Sequence, residues 1–229
     1  MLGFSTGVFY KEGIPLTKRI AIIREAGCRA LELGLISMEG FFSEEVSVLE
    51  SGDFTGFDYV SLHAPNFRYG RNPRSRQIIE RIRLLNMRVN LDLVVFHPDQ
   101  ITDFSIFNGV GFRAAFENMD NRKASHQTPE EMAAMLATNP EYGFVLDLNH
   151  VYSNDATMNM AADFYALLGH RISEIHLSGY AGYHEPLHVT KQASIISAVR
   201  KHDVPIIVES VLTVPEFEKE VTYLTSHLG

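Results

Sequence analysis

The sequence predicts a closed (β/α)8 TIM barrel, a single compact domain spanning residues 1–229. Three observations carry that expectation. Eight short apolar, β-branched runs recur along the chain, and turn residues followed by helical patterning separate most of them. Strands alternating with helices pair in parallel through right-handed crossovers, and eight such units close a ring. No G-x-G-x-x-G turn follows the first run, which argues against the alternative, an open doubly wound sheet.

The expected strands are Leu2–Thr6, Ala30–Leu33, Tyr59–His63, Leu93–His97, Ala114–Met119, Phe144–Leu148, Ile172–Leu177 and Ile206–Glu209. Pro15 suits a first helical position, Leu16, Ile20 and Ile23 form an apolar stripe, and Gly27 fits the C-terminal cap. Patterning after the second strand is weak. Asn72-Pro73 opens the next helix, with Ile78, Ile82 and Leu85 on one face. The segment after the fourth strand is too short for a full helix. Thr128-Pro129-Glu130-Glu131 reads as a capping box, and helices follow over Asn159–Leu168, Thr190–His202 and Val214–Ser226.

Composition narrows the function classes. Twenty basic against 28 acidic residues give a formal charge of −8, which disfavours nucleic-acid binding through whole-surface phosphate neutralisation. No apolar run approaches the roughly 18 residues of a membrane span, and no basic-then-apolar leader opens the chain, so no membrane partner is expected. The lone Cys28 forms no internal disulfide and suits a reducing compartment. A cytoplasmic location is the expectation.

In such a barrel the chemistry collects where strands end, because all eight C-termini converge on one face. Those positions hold Glu32, His63, His97, Glu117, Asp147, His176 and Glu209. Carboxylates crowded at one mouth repel one another unless cations neutralise them, and interleaved imidazoles make a divalent metal the natural partner. His150, three residues after Asp147, and His184 in the loop after strand seven extend the set. His184-Glu185-Pro186-Leu187-His188 matches H-E-x-x-H, yet Pro186 forbids the unbroken helix which that zinc motif needs. It is a decoy.

Leu62-His63-Ala64-Pro65, Val94-Val95-Phe96-His97-Pro98, Phe116-Glu117-Asn118, Asp147-Leu148-Asn149-His150 and Ile175-His176 resemble the xylose isomerase-like barrels. That superfamily joins endonuclease IV to sugar and sugar-phosphate isomerases and epimerases. The resemblance runs from Ala26–Leu33 to Ile206–Glu209. For an endonuclease IV-like site it implies up to three zinc ions: His63, His97 and Glu117 on the first, and Glu117, Asp147, His176 and Glu209 on the second. His150 and His184 would serve the third, but the aspartate expected two positions before His184 is Gly182 here. For the isomerase branch it implies one ion, manganese or magnesium, on Glu117, Asp147, His176 and Glu209.

Two chemistries follow, with hydrolysis of a phosphoester placed first. Two ions bridging Glu117 would generate hydroxide and stabilise the leaving oxygen, which gives His63 and His97 a purpose. Arg68, Arg71, Arg74 and Arg76 cluster near a helix N-terminus, where an anionic substrate would explain them. The alternative is isomerisation or epimerisation of a sugar or sugar phosphate, with Glu117 and Glu209 as the acid–base pair and His150 on substrate oxygens. The acidic charge, the short chain and Gly182 favour this branch. A non-catalytic binding barrel is a third possibility. Tyr183 and Glu32 are further substrate-contact candidates, with Glu32 alternatively hydrogen-bonded to a metal-binding histidine.

Overall fold

The computed structural model describes residues 1–228. Eight parallel strands close into a barrel in sequence order: β1 (Leu2–Ser5), β2 (Ala30–Gly34), β3 (Tyr59–His63), β4 (Leu93–Phe96), β5 (Ala114–Glu117), β6 (Gly143–Asp147), β7 (Ile172–Leu177) and β8 (Ile206–Val208). Every strand read from the sequence is present, and most end one or two residues earlier than expected. Ten α-helical segments lie between or after the strands among the described residues: α1 (Leu16–Glu25), α2 (Met38–Phe41), α3 (Glu44–Ser47), α4 (Pro73–Val89), α5 (Pro129–Ala137), α6 (Leu148–Asn154), α7 (Asn159–Leu168), α8 (Leu187–Thr190), α9 (Ala193–Ser197) and α10 (Val214–Leu228). None is long and apolar enough to cross a membrane.

Local chemistry explains the boundaries. Gly27 sits at φ +80°, the left-handed conformation that ends α1. Asn72 Oδ1 accepts from the Ser75 amide to start α4 behind Pro73, and Thr128 and Glu131 form the reciprocal capping box of α5. After β4 the chain makes only 3-10 turns at Pro98–Gln100 and Phe104–Phe107. The helix expected over Thr190–His202 is instead two short ones. Lys191 takes a left-handed conformation at φ 54°, and the Gln192 side chain leaves the helical path to bond both the amide and the carbonyl of Tyr180. Those two bonds tether the loop after β7.

Two apolar layers result. The large one packs helices on the outer barrel face, as where Phe4 of β1 meets Phe217 of α10 at 4.7 Å between ring centroids. The inner one is small, with Leu93, Val95, Ala115 and Val145 filling part of the ring. Glu32, Ser61 and Glu174 are fully buried, and register pairs Glu32 with Ser61 and Glu174 with Val145. Barrel interiors are usually filled by branched aliphatic side chains. This one is polar on the β2, β3 and β7 side.

Candidate active site

Above that interior the strand ends bring the expected acids and imidazoles together. His97 Nε2 lies 2.7 Å from Glu117 Oε1, and His63 Nε2 lies 3.6 Å from Glu117 Oε2. His176 Nδ1 is 3.1 Å from Glu117 Oε2 and 3.5 Å from Glu209 Oε2. Asp147 caps α6 through the His150 amide, while its neighbour Asn118 clamps the Asp147 backbone from both sides at 2.9 and 3.0 Å. Strand alternation produces this convergence, since each of these side chains follows an inward-facing position by two residues.

Four residue sets offer ligand atoms within 4.8 Å of one another: Glu117, Asp147 and His176; His63, His97 and Glu117; His63, His176 and Glu209; and, deeper in the ring, Glu32, Glu174 and His176, where His176 Nε2 already bonds Glu174. The first set fits a cation best. Glu117 Oε2, Asp147 Oδ2 and His176 Nδ1 are all buried and all lack a hydrogen-bond partner. A buried carboxylate oxygen left unpaired is strongly unfavourable, and a divalent ion supplies the missing partner. Among the described residues no set of three includes His150 or His184, and Gly182 stands where a further acid was expected.

Charge is distributed unevenly across the bowl. Burial works against ionising Glu117, but the neighbouring His97 charge and contacts to His176 and His63 hold its carboxyl well below the usual range. Burial pushes Glu209 up to about 8, with His176 pulling the other way and Glu32 adding to the rise. Burial also opposes charge on His63, yet bonding to Glu117 outweighs it and lifts the imidazole to about 10. His184, whose Nδ1 lies 3.0 Å from Ser178 Oγ, drops to about 4 because it is buried.

A cleft of about 700 Å³ opens over Glu209 and His184, between the β1 and β2 loops and Tyr183. Ser37, Ser43, Glu39 and Glu45 line its far wall. Arg19 is the cleft's basic side chain, and its guanidinium is committed to the carbonyls of Ile14 and Thr6. The lining mixes apolar side chains with these polar ones and carries more acid than base.

No protein-family model matches the chain, and no curated protein matches it by sequence. Structural likeness is extensive. A D-tagatose 3-epimerase-like protein superposes with a TM-score of 0.70 at 18% identity, over 99% of this chain and 97% of its own. A xylose isomerase domain containing protein from Salmonella typhimurium gives 0.72 at 13% identity, over 99% and 96%. The fold is that of the xylose isomerase-like TIM barrels. D-psicose 3-epimerase, solved in the presence of D-fructose, gives 0.68 at 12% identity over 100% of this chain and 99% of its own.

Within this barrel the remaining candidates separate. His150 is buried against the Asn118 carbonyl at 2.8 Å, with Asp147 Oδ2 at 3.4 Å and Asp120 Oδ2 at 3.8 Å. Glu32 is fully buried, its Oε2 3.3 Å from His176 Nε2, on the side of that ring opposite Glu117. Tyr183 lines the cleft and is 41% exposed, enough to meet a ligand. Arg68 is exposed and, like Arg71, does not line the cleft. Arg71 binds Asp103 and Ser105 in a separate surface groove, so its charge already has a partner. His188 bonds Glu220, away from His184, which disposes of the H-E-x-x-H pattern.

One residue escaped the sequence reading. Glu174, fully buried, accepts from His176 Nε2 at 2.7 Å. The signal was available: in a strand, the residue two before an inward histidine also faces inward.

Proposed function

We propose that this protein is a divalent-metal-dependent sugar isomerase or epimerase. The observation that carries the reading is the Glu117–Asp147–His176 set, with its three unpartnered buried atoms, beside Glu209 on the floor of an acidic cleft. Glu117, Asp147, His176 and Glu209 would hold the ion, and an oxygen-rich donor set of this kind suits manganese or magnesium better than zinc. When bound, the ion would polarise the substrate carbonyl and acidify the neighbouring C–H.

The chain's own residues then move the proton. Glu117 and Glu209, both beside His176 Nδ1 at 3.1 and 3.5 Å, are the carboxylates suited to take and return it. Tyr183 and the Ser37–Ser43 wall offer hydroxyls to a polyol, and no uncommitted cation in the cleft lining awaits a phosphate. The substrate class we infer is an uncharged sugar. The epimerases among the structural neighbours agree with this reading.

Phosphoester hydrolysis at a zinc pair is the second reading, and the His63–His97–Glu117 set is what favours it. Against it stand Gly182 and the pairing of Arg71 with Asp103. The deciding experiment incubates manganese-loaded protein with free ketohexoses and aldoses in deuterium oxide. Deuterium appearing at carbon beside the carbonyl supports isomerisation or epimerisation. Absence of exchange, together with cleavage of a phosphodiester by zinc-loaded protein, would overturn it.

A further inference from the structure

We propose that Glu174 is a positioning residue that aims His176 at the metal. The inference rests on the Glu117–Asp147–His176 ion site proposed above. His176 has two ring nitrogens with different surroundings. Nε2 lies 2.7 Å from Glu174 Oε1 and 3.3 Å from Glu32 Oε2, whereas Nδ1 faces Glu117 and Glu209 and has no hydrogen-bond partner. Both nitrogens face carboxylates, but Nε2 is the one that meets a carboxylate in hydrogen-bonding geometry, so with a cation on the Nδ1 side the ring proton belongs on Nε2. That leaves the Nδ1 lone pair directed into the cation set. A ligating histidine held through its other nitrogen by a carboxylate is fixed in both tautomer and orientation.

The backbone is built to allow this. Phe144 pairs with Ile172, but the next residue, Val145, pairs with Glu174, so strand β7 carries Ser173 as an extra residue. The irregularity puts Glu174 and His176 in register with Val145 and Asp147, which brings both β7 side chains to the inner face. Glu174 is fully buried where an aliphatic side chain normally sits, and it accepts from His176 Nε2 at 2.7 Å. A carboxylate so placed, with its second oxygen unpaired, is a poor packing element. Its use lies in the imidazole.

The test combines zinc affinity with nitrogen NMR. Zn²⁺, a diamagnetic probe, is titrated against a competing chelator into wild type, Glu174→Met, Glu174→Gln and His176→Asn, each carrying His63→Ala so that the His63–His97–Glu117 set does not compete. Glu174→Met, which matches the volume but accepts nothing, should bind 10- to 100-fold more weakly. Glu174→Gln keeps an acceptor and should lose between threefold and tenfold. In zinc-loaded wild type, histidine-labelled protein should show His176 protonated at Nε2, with a slowly exchanging proton that Glu174→Gln retains and Glu174→Met loses. A proton on Nδ1, or wild-type affinity in Glu174→Met, would overturn the assignment. If Glu174→Met does not fold, wild-type affinity in Glu174→Gln overturns it instead. Equal zinc binding by wild type and His176→Asn would overturn the ion site itself, and the inference with it. Loss in His176→Asn without loss in the Glu174 variants would overturn the inference alone.

Discussion

His63 and His97 meet nitrogen to nitrogen, their Nε2 atoms 3.2 Å apart and each turned toward a different oxygen of Glu117. At this distance one ring donates and the other accepts. The same geometry offers two nitrogens and one oxygen to a second cation. How many ions bind therefore separates the two chemistries more cleanly than the fold does.

Metal stoichiometry is the first prediction. Elemental analysis of protein purified without chelator should give one ion per chain, lost in Asp147→Asn and retained in His63→Ala. Adding that ion at about 100 times its dissociation constant should raise the unfolding free energy by about 2.7 kcal/mol. Two ions, one of them lost in His63→Ala, would restore the hydrolytic reading to first place.

Glu117 touches His63, His97 and His176 at once, so its removal tests the centre. Glu117→Gln should lower turnover about 10²- to 10⁴-fold, the range for a lost proton-transfer group. Circular dichroism should show the fold intact. Turnover near wild type would mean that the reactive centre lies elsewhere.

The metal-free protein should lose stability between pH 6.5 and 8. Glu209 is raised to about 8 from a carboxyl's ordinary value, and His63 to about 10, so the folded state binds more protons than the unfolded chain across that window. Stability then falls as pH rises. Each such group contributes a slope of up to about 1.4 kcal/mol per pH unit. His184, lowered to about 4, acts with the opposite sign, but only below its unfolded value near 6.5. Glu209→Gln should flatten the decline measured by urea unfolding at several pH values.

Glu220 is fully buried in α10 and accepts from the amides of Leu187 and His188, the His188 ring and the Ser210 hydroxyl. Glu220→Ala strands those groups and should cost about 3 kcal/mol or more in denaturant unfolding. Metal affinity should be unchanged, because this carboxylate supports the loop after β7 and not the ion. A weakened metal site would tie the two together.

Arg71→Ala should leave turnover within twofold and stability within about 1 kcal/mol, as expected for an exposed ion pair outside the cleft. A large rise in KM would show that the Arg71 groove receives substrate.

Much of this was legible in the chain. Strand ends could be read because inward positions alternate, and a titratable residue closing an apolar run stands out, as at His97 or Asp147. Helix starts with chemical signatures, Asn72 and Thr128, were equally plain. The β7–β8 crossover was harder: Lys191 adopts its left-handed turn where Gln192 is claimed by Tyr180, a contact that periodicity does not encode. Arg71 was misleading for a similar reason. Its partner Asp103 lies 32 residues away in sequence, so the helix N-terminus seemed to present unpaired charge. Glu174 hid behind a strand irregularity, although its spacing from His176 gave it away.

The polar lining of the ring has a cost that falls on the empty protein. Glu32 and Glu174 crowd one edge of His176 while Glu117 and Glu209 crowd the other, and without a cation these four acids are only partly balanced. On the ion-site reading, a cell short of the right metal would accumulate the weaker form, which opens more often and is cleared sooner by proteases. Abundance of this protein would then track the supply of its ion, with no separate regulator required.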